Sequence, residues 1–215
     1  MTGNPKKLCI VGAGGFGREV LSSFKDKFFK SDKWNDKEVV FLDDNPKLHN
    51  KKVMGIPVIQ SSDFNPSDYE VVIAVGDPHT RKKIVENLLP HNTKYTTLIH
   101  PSAIVMHDCE IGEGSIITAG CTVTCNIKIG KHCHLNLHTT VGHDCRIGDY
   151  FTTAPGTHIS GECEVGHQVY FGTNAAVRQG VKICDNTTIG MGGVVVKNIV
   201  ESGTYIGNPL KKLVK

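Results

Sequence analysis

The chain has 215 residues, with 24 Lys or Arg against 21 Asp or Glu, so its formal net charge at pH 7 is only +3. The basic residues are scattered apart from the C-terminal KKLVK, which argues against a nucleic-acid-binding surface. No apolar stretch approaches the ~18 residues of a membrane span, and the first residues lack the apolar core of a signal peptide. We therefore expect a cytoplasmic protein.

Residues 1–98 predict a small parallel α/β domain. It begins with KLCIVGAGGFGREVLSSFKDKF, an apolar strand followed by a glycine turn and an amphipathic helix; strands in EVVFLDDNP and YEVVIAVGDP follow. Gly12, Gly14 and Gly17 have GxGxxG spacing, which suits a phosphate at a helix N-terminus, although a tight turn without a ligand gives the same pattern. The domain is too short for both halves of a dinucleotide-binding fold. The sequence therefore predicts a half-Rossmann domain that binds a nucleotide attached to another group rather than NAD.

From residue 99 onward, apolar residues recur every six positions. Between Ile99 and Val195, sixteen of the seventeen positions at this spacing are apolar, and the exception is Thr153. A helix needs a period of about 3.6 and a flat strand a period of 2, so neither explains the pattern. Three hexads make one triangular coil of about 18 residues, and such coils stack as parallel strands. Residues 99–215 therefore predict an all-β parallel β-helix of about five coils.

Five of the eight cysteines fall at the fourth position after an apolar hexad residue: Cys109, Cys121, Cys133, Cys145 and Cys163. A free cysteine there acts as a compact apolar side chain, so we interpret these residues as interior packing rather than metal ligands or nucleophiles. Cys145 and Cys163 are one coil apart. They predict a packed pair of thiols in a reducing compartment, with a disulfide as the alternative.

The motif GHDC places His143 and Asp144 two and three positions after the apolar hexad residue Val141. Both therefore lie at a corner of the coil, outside its interior. His107 and Asp108 occupy equivalent positions two coils earlier, so the hexad frame alone does not choose between the two pairs. An outward imidazole titrates near neutral pH and can act as a general base. Gly161 lies one coil after His143, where its N–H could donate to a developing oxyanion.

A short domain containing VGAGGFGREV, then VIAVGDPHTRKKI and LIHPSAIV, then a hexapeptide region, resembles the sugar acetyltransferases related to PglD, PerB, VioB and NeuD over the whole chain. This resemblance implies a left-handed β-helix and a homotrimer with active sites between neighbouring β-helices. It also implies transfer of an acetyl group from acetyl-CoA, without a metal, to the 4-amino group of a 4-amino-4,6-dideoxy sugar. The sugar would be linked to dTDP, UDP or GDP, for surface glycans such as the lipopolysaccharide O-antigen.

Two other functions fit the same residues. One is O-acetylation of sialic acid or another sugar hydroxyl, which would use the same histidine base. The other is a nucleotide-binding β-helix that does not catalyse a reaction and acts as an assembly partner. The intact GHDC and the glycine one coil later argue against the assembly role.

The resemblance assigns roles to individual residues. His143 is the expected general base and Asp144 orients it; the oxyanion donor role of Gly161 rests on its position one coil after His143. The residues expected to contact the nucleotide sugar are Gly12, Ala13, Gly14, Gly15, Phe16, Asp43, Asp44, Gly76, Asp77 and Asn136. Those expected to contact CoA are Thr152, Gly172, Gly190, Lys197, Pro209, Lys211 and Lys212, with a solvated basic tail as the alternative for the last two. Phe16 and Thr152 depart from the family, which often has histidine at both positions.

Overall fold

The computed structural model describes residues 7–24 and 39–213. The chain forms two compact units, one of residues 1–76 and 80–98, the other of residues 77–79 and 99–215. Within the described ranges, no helix combines the length and the apolar character needed to cross a membrane.

The first unit contains a six-stranded sheet. Its strands are β1 (Lys7–Val11), β2 (Val39–Leu42), β3 (Lys52–Val53), β4 (Ile56–Ile59), β5 (Tyr69–Ile73) and β6 (Lys94–Tyr95). The strand order is β3-β4-β2-β1-β5-β6, and every pair is parallel except β3 with β4. Four of the five residues of β1 are buried, as expected for the middle strand of a parallel sheet. This confirms the predicted small α/β domain.

Among the described residues, two α-helices and three shorter turns connect these strands. The helices are α1 (Gly15–Ser23) and α2 (Pro78–Lys83), which continues into a π-helical turn at Ile84–Leu88; the 3₁₀ turns are Pro46–Leu48 and Ser61–Asp63. Helix α1 packs closely on the glycine turn, since a Cβ at Gly17 would overlap the carbonyl oxygen of Gly12. Gly12 itself has a φ of 97°, a conformation that favours glycine.

The second unit is a parallel β-helix with three sheets. Sheet I contains β7 (Leu98–Ile99), β10 (Ile116–Ile117), β13 (His134–Leu135), β16 (Thr152–Thr153), β19 (Tyr170–Phe171), β22 (Thr187–Ile189), β24 (Gly203–Ile206) and β25 (Lys211–Lys212). Sheet II contains β8 (Ile104–Val105), β11 (Thr122–Val123), β14 (Thr140–Val141), β17 (His158–Ile159), β20 (Ala176–Val177) and β23 (Val194–Val195). Sheet III contains β9 (Glu110–Ile111), β12 (Lys128–Ile129), β15 (Arg146–Ile147), β18 (Glu164–Val165) and β21 (Lys182–Ile183).

Strand pairing shows that one coil takes eighteen residues, as the hexad spacing predicts. Val141 pairs with Ile159, and Val123 pairs with Val141 in the coil before it. The apolar hexad residues form the core of the β-helix. Thr153, the polar exception, is also buried; its hydroxyl lies 2.7 Å from the Thr139 hydroxyl and accepts the backbone N–H of Asn136 at 2.9 Å. A threonine is tolerated in this core because its hydroxyl is hydrogen bonded.

The predicted interior packing of the five cysteines is confirmed. Cys121, Cys133, Cys145 and Cys163 are fully buried in the β-helix core, and Cys109 packs against it. All of them are free thiols, and burial raises the pKa of the Cys121 thiol. The backbone N–H of Cys163 lies 3.4 Å from the Cys145 sulfur, so the stacked pair is a pair of packed thiols.

The outward surfaces of sheets II and III differ in charge. Side chains alternate between the two faces of a strand, so the residue before each apolar hexad residue points out of the coil. On sheet II these residues are Ile104, Thr122, Thr140, His158, Ala176 and Val194. On sheet III they are Glu110, Lys128, Arg146, Glu164 and Lys182. The outward side chains of sheet II are therefore mostly small and uncharged, whereas those of sheet III are all charged.

Candidate active site

The corner between sheets II and III has one outward-facing position per coil, and these positions form a single column. From the first coil to the last the residues are His107, Cys125, His143, Gly161, Gln179 and Lys197. The next residue in the first four coils adopts the left-handed conformation, at Asp108, Asn126, Asp144 and Glu162, with φ between 56° and 62°. Asn and Asp tolerate this conformation better than most residues, so the sequence favours a tight corner here.

His143 and Asp144 form a hydrogen-bonded pair at this corner. His143 Nδ1 lies 2.7 Å from Asp144 Oδ2, and both side chains are about half exposed. In the neutral imidazole a proton on Nδ1 is donated to the carboxylate, which leaves the lone pair of Nε2 available. The hydrogen bond from His143, and next the one from Asn126, hold the pKa of the Asp144 carboxyl below its usual value. The pair is thus set up to accept a proton at Nε2.

Asp144 has a second partner that the sequence reasoning missed. Asn126, one coil earlier, donates its Nδ2 to Asp144 Oδ1 at 2.5 Å. Arg146 in turn donates to the carbonyl oxygen of Asn126 at 2.7 Å and to that of Cys145 at 3.0 Å. The hexad spacing could have predicted this contact, because Asn126 lies eighteen residues before Asp144 and therefore stacks with it.

Gly161 gives the imidazole its space. A Cβ at this position would lie 2.6 Å from His143 Nε2, so only glycine lets the ring rest over this backbone. The Gly161 carbonyl accepts the N–H of Gly180 at 3.0 Å, whereas its own N–H has no acceptor among the described residues. A backbone donor therefore lies next to His143 and is available to a ligand.

The equivalent pair at the first coil is not formed. Within the described part of the chain, no hydrogen bond joins His107 to Asp108, although Asp108 has the same backbone conformation as Asp144. The structure therefore distinguishes two His–Asp sequences that the hexad frame leaves equivalent.

The glycine turn of the first unit lies beside both aspartates that follow β2. Asp43 Oδ2 accepts the N–H of Ala13 at 2.9 Å, and Asp43 Oδ1 accepts that of Asn45 at 3.0 Å. Asp44 accepts the backbone N–H of Ser61 at 2.8 Å and its hydroxyl at 2.6 Å. Through these hydrogen bonds the two carboxylates link the glycine turn, the loop after β2 and the 3₁₀ turn at Ser61 at one edge of the sheet.

A small cavity of about 160 Å³ opens at this edge. Its lining combines the carboxylates with apolar side chains: Val11, Gly12, Leu42, Asp43, Asp44, Ser61, Val75, Ile84, Leu88 and Leu89. A Cβ at Gly14, Gly15 or Gly76 would meet no described atom within 4 Å, so these glycines face open space. Phe16 lies in the first turn of α1 and is half-buried.

The loop after β5 is held by a buried arginine that the sequence reasoning missed. Arg81 is fully buried and donates to the carbonyl oxygens of Val75 at 2.6 Å and Gly76 at 3.2 Å. Asp77 follows Gly76 in this loop. A buried arginine is rare in a short helix, and no spacing in the sequence indicates it.

The residues expected at the CoA site are spread along the late coils. Gly172 is needed for coil stacking, because a Cβ there would lie 2.5 Å from the N of Met191; one at Gly190 would lie 2.9 Å from Ile206 Cγ2. Thr152 is buried in β16, stacked between His134 and Tyr170. Asn136 follows β13 at a different corner from His143, and its Oδ1 accepts the N–H of Leu137 at 2.7 Å.

The remaining residues expected to contact CoA lie in or near the C-terminal hairpin of β24 and β25. A cavity of about 220 Å³ is lined by Val195, Val196, Lys197, Asn198, Ile199, Tyr205, Pro209 and Leu210. Lys212 forms an ion pair with Glu201, which raises the pKa of its ammonium group. Lys211 is exposed. Of the two lysines, Lys211 is therefore the freer to meet a phosphate.

Comparison with known proteins places these features in a family. Residues 7–88 match the PglD N-terminal domain, and residues 96–125 match the bacterial transferase hexapeptide (six repeats) family. The chain is 34% identical over 175 residues to GDP-perosamine N-acetyltransferase of Escherichia coli O157:H7, covering 80% of this chain and 78% of that protein. The chain belongs to the PglD/PerB family of hexapeptide-repeat sugar acetyltransferases. The resemblance seen in the sequence is thereby confirmed.

Two solved structures of PglD/PerB proteins extend the match to nearly the whole chain. The acetyltransferase domain of PglB from Neisseria gonorrhoeae FA1090, in complex with acetyl coenzyme A, is 32% identical with a TM-score of 0.85 and covers 98% of this chain and 100% of its own. A histidine-to-asparagine mutant of perosamine N-acetyltransferase from Caulobacter crescentus, in complex with CoA and GDP-perosamine, is 28% identical with a TM-score of 0.87 and covers 99% of both chains.

Proposed function

We propose that this protein transfers an acetyl group from acetyl-CoA to the 4-amino group of a nucleotide-linked 4-amino-4,6-dideoxy sugar, as a step in surface glycan biosynthesis. The observation that carries the proposal is the corner where Asp144 holds His143 by Nδ1 and Gly161 leaves room for the ring. The names of the relatives, which include a GDP-perosamine N-acetyltransferase and a complex with CoA and GDP-perosamine, support the same chemistry.

The corner residues supply a direct transfer mechanism. His143 Nε2 accepts a proton from the amine as the nitrogen attacks the carbonyl carbon of the thioester. A C–N bond forms and the C–S bond breaks, and the proton held by His143 passes to the departing sulfur. The N–H of Gly161 stabilises the negative charge that develops on the carbonyl oxygen. No cysteine nucleophile is needed, because the amine attacks the thioester directly.

Incubation with acetyl-CoA and a panel of GDP-, UDP- and dTDP-linked amino sugars, together with sialic acid and nucleotide sugars that lack an amine, tests this function, with release of free CoA thiol as the readout. We expect turnover with at least one 4-amino sugar and a product heavier by one acetyl group. Turnover of sialic acid or another sugar without an amine would instead establish an O-acetyltransferase. Nucleotide binding without turnover of any member would favour the assembly role.

We propose that the first unit binds the nucleotide part of the substrate. Open space in front of the N-terminus of α1 suits a phosphate, and the adjoining cavity combines carboxylate acceptors with apolar walls. Titration calorimetry should show binding of GDP, UDP or dTDP that Asp44→Ala weakens. Asp63→Ala is the matched control, because Asp63 is exposed in the neighbouring 3₁₀ turn and does not line the cavity. Tight binding of NADH would contradict the assignment.

We propose that the protein is a homotrimer that associates through sheet II. Its outward residues are small and mostly uncharged, and Ile104 is 55% exposed, whereas sheet III presents only charges. Charged residues are depleted from the core of protein interfaces. His143 would then lie at the rim of the interface, because its corner borders sheet II.

Sedimentation or light scattering should give three times the mass of one chain, and Ala176→Glu should reduce it. Lys182→Glu is the control, since it alters the outward surface of sheet III. A monomeric wild-type protein, or an Ala176→Glu variant that keeps its mass, would count against association through sheet II.

A further inference from the structure

We propose that Asn126 is a positioning residue, which holds the Asp144 carboxylate in place so that Asp144 can orient His143. This inference deepens the proposed function and rests on it. Asn126 lies one coil before Asp144, and its side chain reaches the carboxylate oxygen that His143 does not use.

The geometry gives Asp144 one fixed donor on each oxygen. His143 Nδ1 meets Oδ2 at 2.7 Å, and Asn126 Nδ2 meets Oδ1 at 2.5 Å. Without the second donor, the exposed carboxylate could rotate about its side-chain torsions and exchange the imidazole for water. With both donors in place, the carboxylate plane and the imidazole are held together.

Charges on both sides determine which way the Asn126 amide faces. The Arg146 guanidinium lies 3.5 Å from Asn126 Oδ1 and also donates to the Asn126 carbonyl oxygen, so the amide oxygen faces a cation. The amide nitrogen then faces the carboxylate. An amide fits between a guanidinium and a carboxylate in only this orientation, because its oxygen accepts and its nitrogen donates.

The comparison with the first coil supports this role. Asp108 has the same backbone conformation as Asp144, but the position eighteen residues before it is Pro90, which precedes the coils. Proline has no side-chain donor, and no hydrogen bond joins His107 to Asp108 in the described part of the chain. At the first coil, where no side chain one coil earlier can donate to Asp108, the hydrogen bond between His107 and Asp108 does not form.

Asn126→Asp is the test substitution, because it keeps the shape and the tolerance for positive φ but presents an oxygen instead of a donor to Asp144. We expect kcat to fall about 10- to 100-fold, the scale of a lost hydrogen bond to a charged group. The KM for acetyl-CoA should stay unchanged, because Asn126 acts through Asp144 and not on the co-substrate.

The matched control is Asn186→Asp. Asn186 has a φ of 57° and lies at another corner, where its Oδ1 accepts from Gln168, a role that a carboxylate keeps. A double-mutant cycle separates positioning from general destabilisation: in an Asp144→Ala background, Asn126→Asp should cause no further loss. An unchanged kcat in Asn126→Asp, or losses that multiply in the double variant, would overturn the proposal.

A spectroscopic readout keeps this inference distinct from the proposed function. The ¹⁵N shifts of labelled histidines, with His143→Ala for assignment, report which ring nitrogen carries the proton in the ligand-free protein. We expect the Nδ1–H tautomer at His143 in the wild type and a mixture in Asn126→Asp. If the wild type transfers no acetyl group, the proposed function fails and this measurement still decides the role of Asn126; the same tautomer in both proteins would refute it.

Discussion

Two corners of the β-helix carry a His–Asp sequence at the same position of the coil, and only one of them forms a hydrogen-bonded pair. At His143 the coil before contributes Asn126 and the coil after contributes Gly161, whose missing Cβ leaves room for the ring. At His107 the position after is Cys125, which has a Cβ, and the position before Asp108 lies outside the coils. Because the two corners share the same dipeptide, the difference between them lies in the residues eighteen positions before and after it.

Removal of the imidazole should produce the largest difference between the two corners. His143→Ala should lower kcat by about 10²- to 10⁴-fold, the usual loss of a general base, while acetyl-CoA still binds. His107→Ala should leave turnover nearly intact. Steady-state kinetics together with calorimetric titration of CoA check both statements. If His107→Ala abolished transfer and His143→Ala did not, the reactive corner has been assigned to the wrong coil.

A second substitution makes the His143 corner resemble the His107 corner. Gly161→Ala introduces a Cβ that would lie 2.6 Å from His143 Nε2, so the ring must move. A displacement of about 1 Å can cost on the order of 100-fold in rate, and we expect a loss of about 10- to 100-fold in kcat. Gln179→Ala, one coil further along the same column, is the control and should change kcat little. Full activity in Gly161→Ala would show that the ring does not need this space.

The smallest expected effect is on stability in acid. The hydrogen bonds from His143 and Asn126 lower the folded-state pKa of Asp144 below the usual value of an aspartate. Its contribution to stability is therefore present above that value and is lost as the pH falls through the lower, folded-state pKa. Thermal unfolding should show a small deficit of Asp144→Asn against wild type at pH 7 that shrinks as the pH is lowered through the acidic range in which Asp144 becomes protonated. Asp108→Asn, at the unpaired corner, should show no comparable pH-dependent deficit; equal behaviour of the two variants would remove the distinction between the corners.

The hexad spacing predicted the features that depend on register. It gave the interior positions, the eighteen-residue coil, the buried cysteines and the outward corner of His143, because stacked parallel strands repeat the same geometry in every coil. The glycine pattern and the apolar strands likewise predicted the sheet of the first unit. Such features follow from backbone periodicity and burial alone.

Contacts that depend on side-chain choice were not predictable in the same way. The frame left His107 and His143 equivalent, and the preference for His143 came from the family resemblance. The buried Arg81 and the ion pair of Lys212 with Glu201 depend on long side chains that reach across a fold, and no local spacing encodes them. The contacts of the nucleotide and CoA residues stay predictions until a complex is examined.

The eighteen-residue coil also fixes the steps by which a residue can be moved along the β-helix axis. Each coil advances the stack by about 4.8 Å, the spacing of hydrogen-bonded strands. An insertion of one complete coil between Val105 and Cys125 would shift His143 by one such step along the axis and leave every side chain on its own sheet. An insertion of a single hexad would instead rotate the whole remainder by one sheet and move His143 to another corner. The position of His143 along the axis is thus adjustable only in whole coils: an insertion there that is not a multiple of eighteen residues keeps Asn126, His143 and Gly161 together but takes them off the corner set by the preceding coils.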